Sequence, residues 1–162
     1  MNNTLDDTQK NVKQELPPNW QDIKKAFPIV EEAKDSENNL RVVFTYAPYI
    51  YVPGGQRLPP DIYVHESIHL KQQGADPASW WTKYLNDSVF RLEQELEAYG
   101  AQLAMFNEAP NRVFEFMKDR LAQDISSEFY GRMIPFGIAA SKIRRIAKSL
   151  SLNKAQQNDE KN

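Results

Sequence analysis

The stretch between Ser88 and Asn107 constrains the fold of this chain more than any other part of the sequence. Its apolar residues recur at intervals of three and four positions, which is the spacing of one face of an α-helix. The pattern predicts one long helix that buries a single stripe against a core, formed by Leu92, Leu96, Tyr99, Leu103 and Phe106. A helix with one buried stripe has to pack against other elements, so a mainly helical domain is expected.

Proline, glycine and capping residues divide the rest of the chain into shorter elements. The segment 41–53 is rich in Val, Tyr, Ile and Phe, and it predicts two strands at 41–46 and 49–53 that pair as a hairpin. Pro48 and Pro53 favour an edge position for the second strand. The expected fold class is α+β and mainly helical, with further helices at about 20–27, 59–74, 77–85, 111–123 and 136–150.

The length of 162 residues leaves room for one ordinary domain, which we predict at 19–151. Residues 1–18 are polar, lack aromatic side chains and end in two prolines, so they predict a disordered arm. The polar residues 152–162 predict a disordered tail. The first residues also lack the apolar stretch of a secretory signal, and no run of about 18 apolar residues exists that could cross a membrane.

The composition excludes several classes of protein. The chain has no cysteine, which rules out a disulfide scaffold, a zinc site with Cys ligands, an iron–sulfur cluster and thiol catalysis. The net charge of −2 and the pI of about 5.7 give the chain no general attraction to nucleic acid or to an anionic membrane. We therefore expect neither nucleic acid nor membrane as a partner.

The only two histidines of the chain lie four residues apart, in the pentapeptide His65-Glu66-Ser67-Ile68-His69. On a helix these two imidazoles share one face and can bind one metal ion, with Glu66 beside the metal-bound water. A chance arrangement of this kind has a probability of roughly one in a thousand, which disfavours two ordinary surface histidines. Zinc is the metal that suits nitrogen and oxygen ligands in a four-coordinate site.

A catalytic zinc site needs a third protein ligand, and without another His or Cys that ligand has to be a carboxylate. The predicted long helix offers Glu93, Glu95 and Glu97. On a helical wheel Glu95 lies about 60° from Leu92 and borders the buried stripe, whereas the other two fall near 100° and 140° on the opposite flank. We predict Glu95 as the ligand, with Glu97 as the reserve.

The HExxH motif followed by Glu95-x-x-Ala98 resembles the gluzincin clan of zinc metallopeptidases. In that clan one helix supplies two His ligands and a general-base Glu, and a second helix supplies a Glu ligand. Many members carry an acid where this chain has Tyr99. Over residues 20–148 the chain also resembles a group of small zincin-like proteins encoded by tailed bacteriophages.

The resemblance implies a hydrolase that cleaves a peptide or protein substrate with Zn²⁺ as cofactor, acting in the cytoplasm of a host cell or in the virion. His65, His69 and Glu95 bind the metal, and Glu66 is the general base. Three residues are candidates to stabilise the oxyanion: Tyr99, Tyr130 and Arg132. We predict Tyr130 for this role, because it lies in a glycine-containing loop. The alternative is that Tyr130 is an ordinary tyrosine of the core. The resemblance further implies that Tyr49–Val52 is an edge strand that holds an extended peptide by main-chain hydrogen bonds.

Other interpretations of the same residues stay open. The chain could be a non-catalytic protein with a zincin fold that serves a phage as a structural or host-interaction component. Gln72 and Gln73 lie three and four residues after His69, so one of them could face the site, or both could form a polar helix end. Trp80 and Trp81 favour core packing.

Overall fold

The computed structural model describes the backbone of residues 11–159 and the side chains of residues 11–152. It is 61% helical and contains a small three-stranded sheet, which confirms the mainly helical α+β class. The chain divides into two compact units, of which the first ends at Asn86 and the second begins at Asp87. The single domain that the sequence predicts at 19–151 stays a prediction, and the two units are described separately below.

The sheet belongs to the first unit and consists of β1 (Val12–Lys13), β2 (Phe44–Tyr46) and β3 (Tyr49–Tyr51). Strands β2 and β3 form the predicted antiparallel hairpin. The predicted edge position of the second strand is wrong, because the strand order is β1-β3-β2 and β1 pairs with β3 in parallel.

The physical reason for this error lies in the predicted arm, part of which is an ordered strand. The amide of Ile50 donates to the carbonyl of Asn11 at 2.8 Å, and the amide of Val52 donates to that of Lys13 at 2.7 Å. The prediction of a disordered arm at 1–18 is therefore wrong for the strand residues. Residues 1–10 of that predicted arm lie outside the described residues.

Three α-helices follow in the first unit: α1 (Trp20–Ala26), α2 (Pro60–Gln73) and α3 (Pro77–Asn86). Helix α2 begins at a proline and is followed by Gly74 with a φ of 54°, a conformation that favours glycine. One face of α2 packs against a small apolar core beside the sheet. The core contains the buried Ile50, Val52 and Leu58, and α2 contributes the partly buried Ile62, Tyr63 and Leu70.

The second unit contains α4 (Ser88–Ala104), α5 (Asn111–Ile125) and α6 (Phe136–Asp159). Asp87 caps α4, since its carboxylate accepts hydrogen bonds from the amides of Val89 and Phe90. The predicted stripe lies in or against the core of this unit, which confirms the helical periodicity. That core includes Leu96, Tyr99, Leu103, Phe114, Leu121, Ile125 and Ile143. The predicted end near Asn107 is wrong, because α4 ends at Ala104 and Phe106 follows the helix.

The last helix and a close helix contact complete the second unit. Helix α6 continues to Asp159, so the predicted tail boundary at residue 152 is wrong; residues 160–162 lie outside the described residues. Helices α4 and α6 approach closely at Gly100, where an added Cβ would lie 2.3 Å from Cγ2 of Ile146.

Candidate metal centre

Helix α2 brings the two histidines of the chain into contact on one face. Both side chains are buried, and their Nε2 atoms lie 3.1 Å apart. Two nitrogens bound to one zinc ion at about 2.0–2.1 Å and near the tetrahedral angle lie roughly 3.3–3.4 Å apart. The observed pair therefore fits a shared metal ion with little movement.

The outer nitrogen of His69 is held by a residue in the last turn of the same helix. Its Nδ1 lies 2.7 Å from Oε1 of Gln72. A histidine that binds a metal through one ring nitrogen usually donates the hydrogen of the other to an oxygen, which fixes the ring orientation. Gln72 supplies such an oxygen, so of the two glutamines considered in the sequence it is this one that contacts the site.

The carboxylate of Glu66 contacts strand β2. The hydroxyl of Thr45 donates to Oε2 of Glu66 at 2.7 Å, and both residues are buried. A hydroxyl has one hydrogen to donate. Thr45 donates it to Oε2, so Oε1 of Glu66 accepts no hydrogen bond from Thr45. Thr45 is not among the site residues predicted from the sequence, because a single polar residue inside an otherwise apolar strand is a weak signal.

The main chain of Thr45 is fixed by two further side chains. Its carbonyl oxygen accepts hydrogen bonds from Nε2 of Gln73 at 2.7 Å and from Nε1 of Trp81 at 3.0 Å. The oxygen of the Gln73 amide in turn accepts from the amide of Ala47 at 2.7 Å. Helices α2 and α3 thus hold the end of β2, and with it the hydroxyl that contacts Glu66.

This arrangement contradicts the predicted peptide-binding strand. The segment Tyr49–Val52 was expected to offer a free edge, but β3 pairs on both sides, with β1 and β2. A carbonyl oxygen has two lone pairs. On β2, both lone pairs of the Thr45 carbonyl already accept hydrogen bonds, from Gln73 and Trp81. An extended peptide therefore cannot pair with β3, nor with β2 at Thr45.

An aromatic cluster on α3 covers one side of His69. The rings of Trp80 and His69 have centroids 5.6 Å apart, and Trp80 stacks on Tyr84 at 4.8 Å. Trp80 and Trp81 are both buried, which confirms the predicted packing role. A wall of this kind excludes water from one face of an imidazole ring and lowers the local dielectric.

The predicted carboxylate ligand lies on α4, in the second unit. Glu95 has an exposed fraction of 2%, whereas Glu93 and Glu97 are exposed to solvent. The helical wheel that separated Glu95 from its neighbours is therefore confirmed with respect to burial. Its role as a metal ligand stays a prediction.

The candidates for oxyanion stabilisation also lie in the second unit. The hydroxyl of Tyr99 donates to that of Tyr130 at 3.0 Å, and Tyr130 packs against the core of this unit. Arg132 is exposed and forms an ion pair with Glu128 at 3.3 Å. Two of the three candidates thus share one hydrogen bond, and the catalytic role of Tyr130 stays a prediction.

Comparison with models of protein families, with curated protein sequences and with solved structures gave no match to this chain. Among the described residues, no helix combines the length and the apolar character needed to cross a membrane.

Proposed function

We propose that this chain is a zinc-dependent metallopeptidase of the gluzincin type, with His65, His69 and Glu95 as the metal ligands and Glu66 as the general base. The observation that carries the proposal is the contact between the two buried imidazoles on α2, whose Nε2 atoms lie 3.1 Å apart. Each of the three proposed ligands is buried and offers one ligand atom.

The donor set suits zinc and disfavours calcium and magnesium. Two imidazole nitrogens and one carboxylate oxygen form the ligand set of many catalytic zinc sites, which keep a fourth position for water. Calcium and magnesium prefer sites made of oxygen atoms alone. Bound zinc would lower the pKa of water and polarise the carbonyl group of a peptide bond.

The residues of the chain account for the remaining chemistry. The carboxylate of Glu66, held by the hydroxyl of Thr45, takes a proton from the attacking water and passes it to the nitrogen of the scissile amide. The carbon–nitrogen bond then breaks and a neutral amine leaves. The hydroxyl of Tyr130, hydrogen-bonded to that of Tyr99, is the proposed donor to the oxyanion.

Incubation of the zinc-loaded protein with a mixed peptide library tests this function, with new N-termini identified by mass spectrometry. We expect cleavage by the native chain and none by Glu66→Gln, which removes the base but leaves all three proposed ligands in place. Glu93→Gln is the matched control, since Glu93 is an exposed glutamate outside the proposed site. Cleavage that persists in Glu66→Gln contradicts the proposal.

A second candidate function is a non-catalytic binding protein that keeps the metal site, such as a structural or host-interaction component of a phage. The specific observation in its favour is the pairing of β3 on both sides, which removes the expected strand for an extended substrate. The same experiment separates the two functions, because a binding protein binds zinc and cleaves no peptide. For either function we propose a place of action in the host cytoplasm or the virion, on the resemblance alone.

A further inference from the structure

We propose that Gln72 is a positioning residue that fixes the tautomer of His69 and so presents its Nε2 atom to the metal. The inference rests on the proposed function for its purpose, but its main observation does not depend on a bound metal. Oε1 of Gln72 lies 2.7 Å from Nδ1 of His69. An amide oxygen only accepts hydrogen bonds, so a neutral His69 ring in this contact is expected to carry its hydrogen on Nδ1 and its lone pair on Nε2.

The two neighbouring glutamines at the end of α2 have different tasks. Residues three apart on a helix share a face, so Gln72 reaches the ring of His69. Gln73 is turned by one position and reaches β2 instead, where its amide binds the carbonyl of Thr45 and the amide of Ala47. One glutamine therefore holds a proposed ligand, and the other holds the strand that contacts Glu66.

The tautomer of His69 has a consequence for His65. Two lone pairs cannot face each other favourably at 3.1 Å, the distance between the two Nε2 atoms. In protein prepared without metal, we therefore expect His65 to carry its hydrogen on Nε2 and to donate it to His69. A metal ion shared by both nitrogens requires the hydrogen of each ring on Nδ1. The two histidines are thus expected in opposite tautomers without zinc and in the same tautomer with it.

Long-range ¹H–¹⁵N correlation spectra of ¹⁵N-labelled protein prepared without metal measure the tautomers directly. The chain has two histidines, so the spectrum contains only two imidazole patterns, and a His65→Gln variant assigns them. We expect His69 to be protonated at Nδ1, and to become a mixture of tautomers in Gln72→Met. A His69 ring protonated at Nε2 in the native chain overturns the inference, whether or not zinc binds.

Zinc affinity, measured by competition with a chromophoric chelator, is the second readout. Loss of an outer oxygen that orients a ligand typically lowers metal affinity by about 10- to 100-fold. We expect a loss of this size in Gln72→Met and recovery in Gln72→Glu, which restores an oxygen acceptor. Gln123→Met, on the exposed face of α5, is the matched control. Equal affinities and equal tautomers in Gln72→Met and Gln123→Met overturn the inference.

The two readouts distinguish failure of this inference from failure of the proposed function. If the native chain binds no zinc, the proposed metallopeptidase is wrong, and the tautomer of His69 alone decides the role of Gln72. If zinc binds and the Gln72 variants change neither readout, the metal site stands and the positioning role is wrong.

Discussion

At the level of single residues, burial separates the glutamates of α4 that the sequence offers as ligands. Glu95 is almost fully buried, while Glu97 is exposed two positions further along the helix. A buried carboxylate is costly unless it is paired, hydrogen-bonded or bound to a metal. Burial therefore separates Glu95 from the exposed glutamates of α4, and its role as a metal ligand stays a prediction.

Substitution of single ligands tests this assignment. We expect about one zinc ion per native chain, loss of binding in His69→Ala and in Glu95→Ala, and nearly unchanged binding in Glu97→Ala. The measurement is the zinc content after dialysis, determined by atomic emission. If Glu97→Ala loses the metal and Glu95→Ala keeps it, the ligand assignment is wrong.

The sequence predicts some residues of the candidate site well and others not at all. His65, Glu66 and His69 follow from one local motif, because helical geometry fixes positions i and i+4 relative to each other. Thr45 lies 21 residues before Glu66, and only the packing of β2 against α2 brings the two side chains together. A single sequence carries no local pattern for such a contact, so Thr45 was missed.

At the level of elements, the packing of α4 against α6 depends on the small size of Gly100. An added Cβ would lie 2.3 Å and 2.6 Å from Cγ2 and Cβ of Ile146, neither of which is the far end of a flexible side chain. Overpacking of this kind typically costs about 1–3 kcal/mol. The close approach of α4 and α6 therefore requires a residue without a side chain at position 100.

We expect Gly100→Ala to lower the free energy of unfolding by about 1–3 kcal/mol, measured by urea denaturation. Gly137→Ala is the matched control, because Gly137 lies in α6 and nothing lies within 4 Å of an added Cβ there. That control should be neutral or stabilising by up to about 1 kcal/mol, since alanine is the better helix former. Equal stability of the two variants would contradict the packing argument.

The limits of helices were easier to predict than the order of strands. Both ends of α2 and the beginning of α4 follow from nearby prolines, caps and glycines, which act within one helical turn. The end of α4 at Ala104 has no such residue beside it, and the sequence placed it about three residues too late. The position of β3 in the centre of the sheet depends on pairing of Val12 with Ile50, far apart in the sequence. Strand β1 has two residues, too few to show an alternating pattern, so its polar surroundings indicated disorder.

An ion-pair cluster between α5 and α6 makes the stability of the second unit sensitive to acid. The ammonium group of Lys118 hydrogen-bonds to Glu115 and, with the nearby Arg144, holds the pKa of the Glu115 carboxyl below its usual range. The unfolded chain therefore binds a proton more readily than the folded chain. It follows that the contribution of Glu115 to stability is present near neutral pH and is lost as the pH falls through the acid range.

We expect the melting temperature of Glu115→Gln to depend less on pH in the acid range than that of the native chain. Near neutral pH the variant should melt at a slightly lower temperature, because exposed ion pairs contribute little. Glu93→Gln serves as the control, since it removes an exposed glutamate from another helix. Parallel pH profiles for the native chain and Glu115→Gln would show that this cluster does not couple stability to pH.

At the level of the whole molecule, each of the two units has its own apolar core. Ile50, Val52 and Leu58 belong to an apolar core in the first unit, and helices α4, α5 and α6 bury another in the second. The composition alone indicated that a core was possible, since 41% of the residues are hydrophobic. It could not indicate two cores, because the division depends on which residues contact each other along the folded chain.

The effect of metal removal follows from the proposed ligands and from these separate cores. Zinc that binds only the folded chain stabilises it by mass action, by about 2.7 kcal/mol at a free concentration of 100 times the dissociation constant. We expect chelation to lower the melting temperature of the native chain while the helical circular dichroism at 25 °C is retained, because burial of the apolar side chains in both units does not require the metal. In His69→Ala, added zinc should leave the melting temperature unchanged. Complete loss of the helical signal of the native chain in chelator would mean that the metal, rather than the apolar cores, holds the fold together.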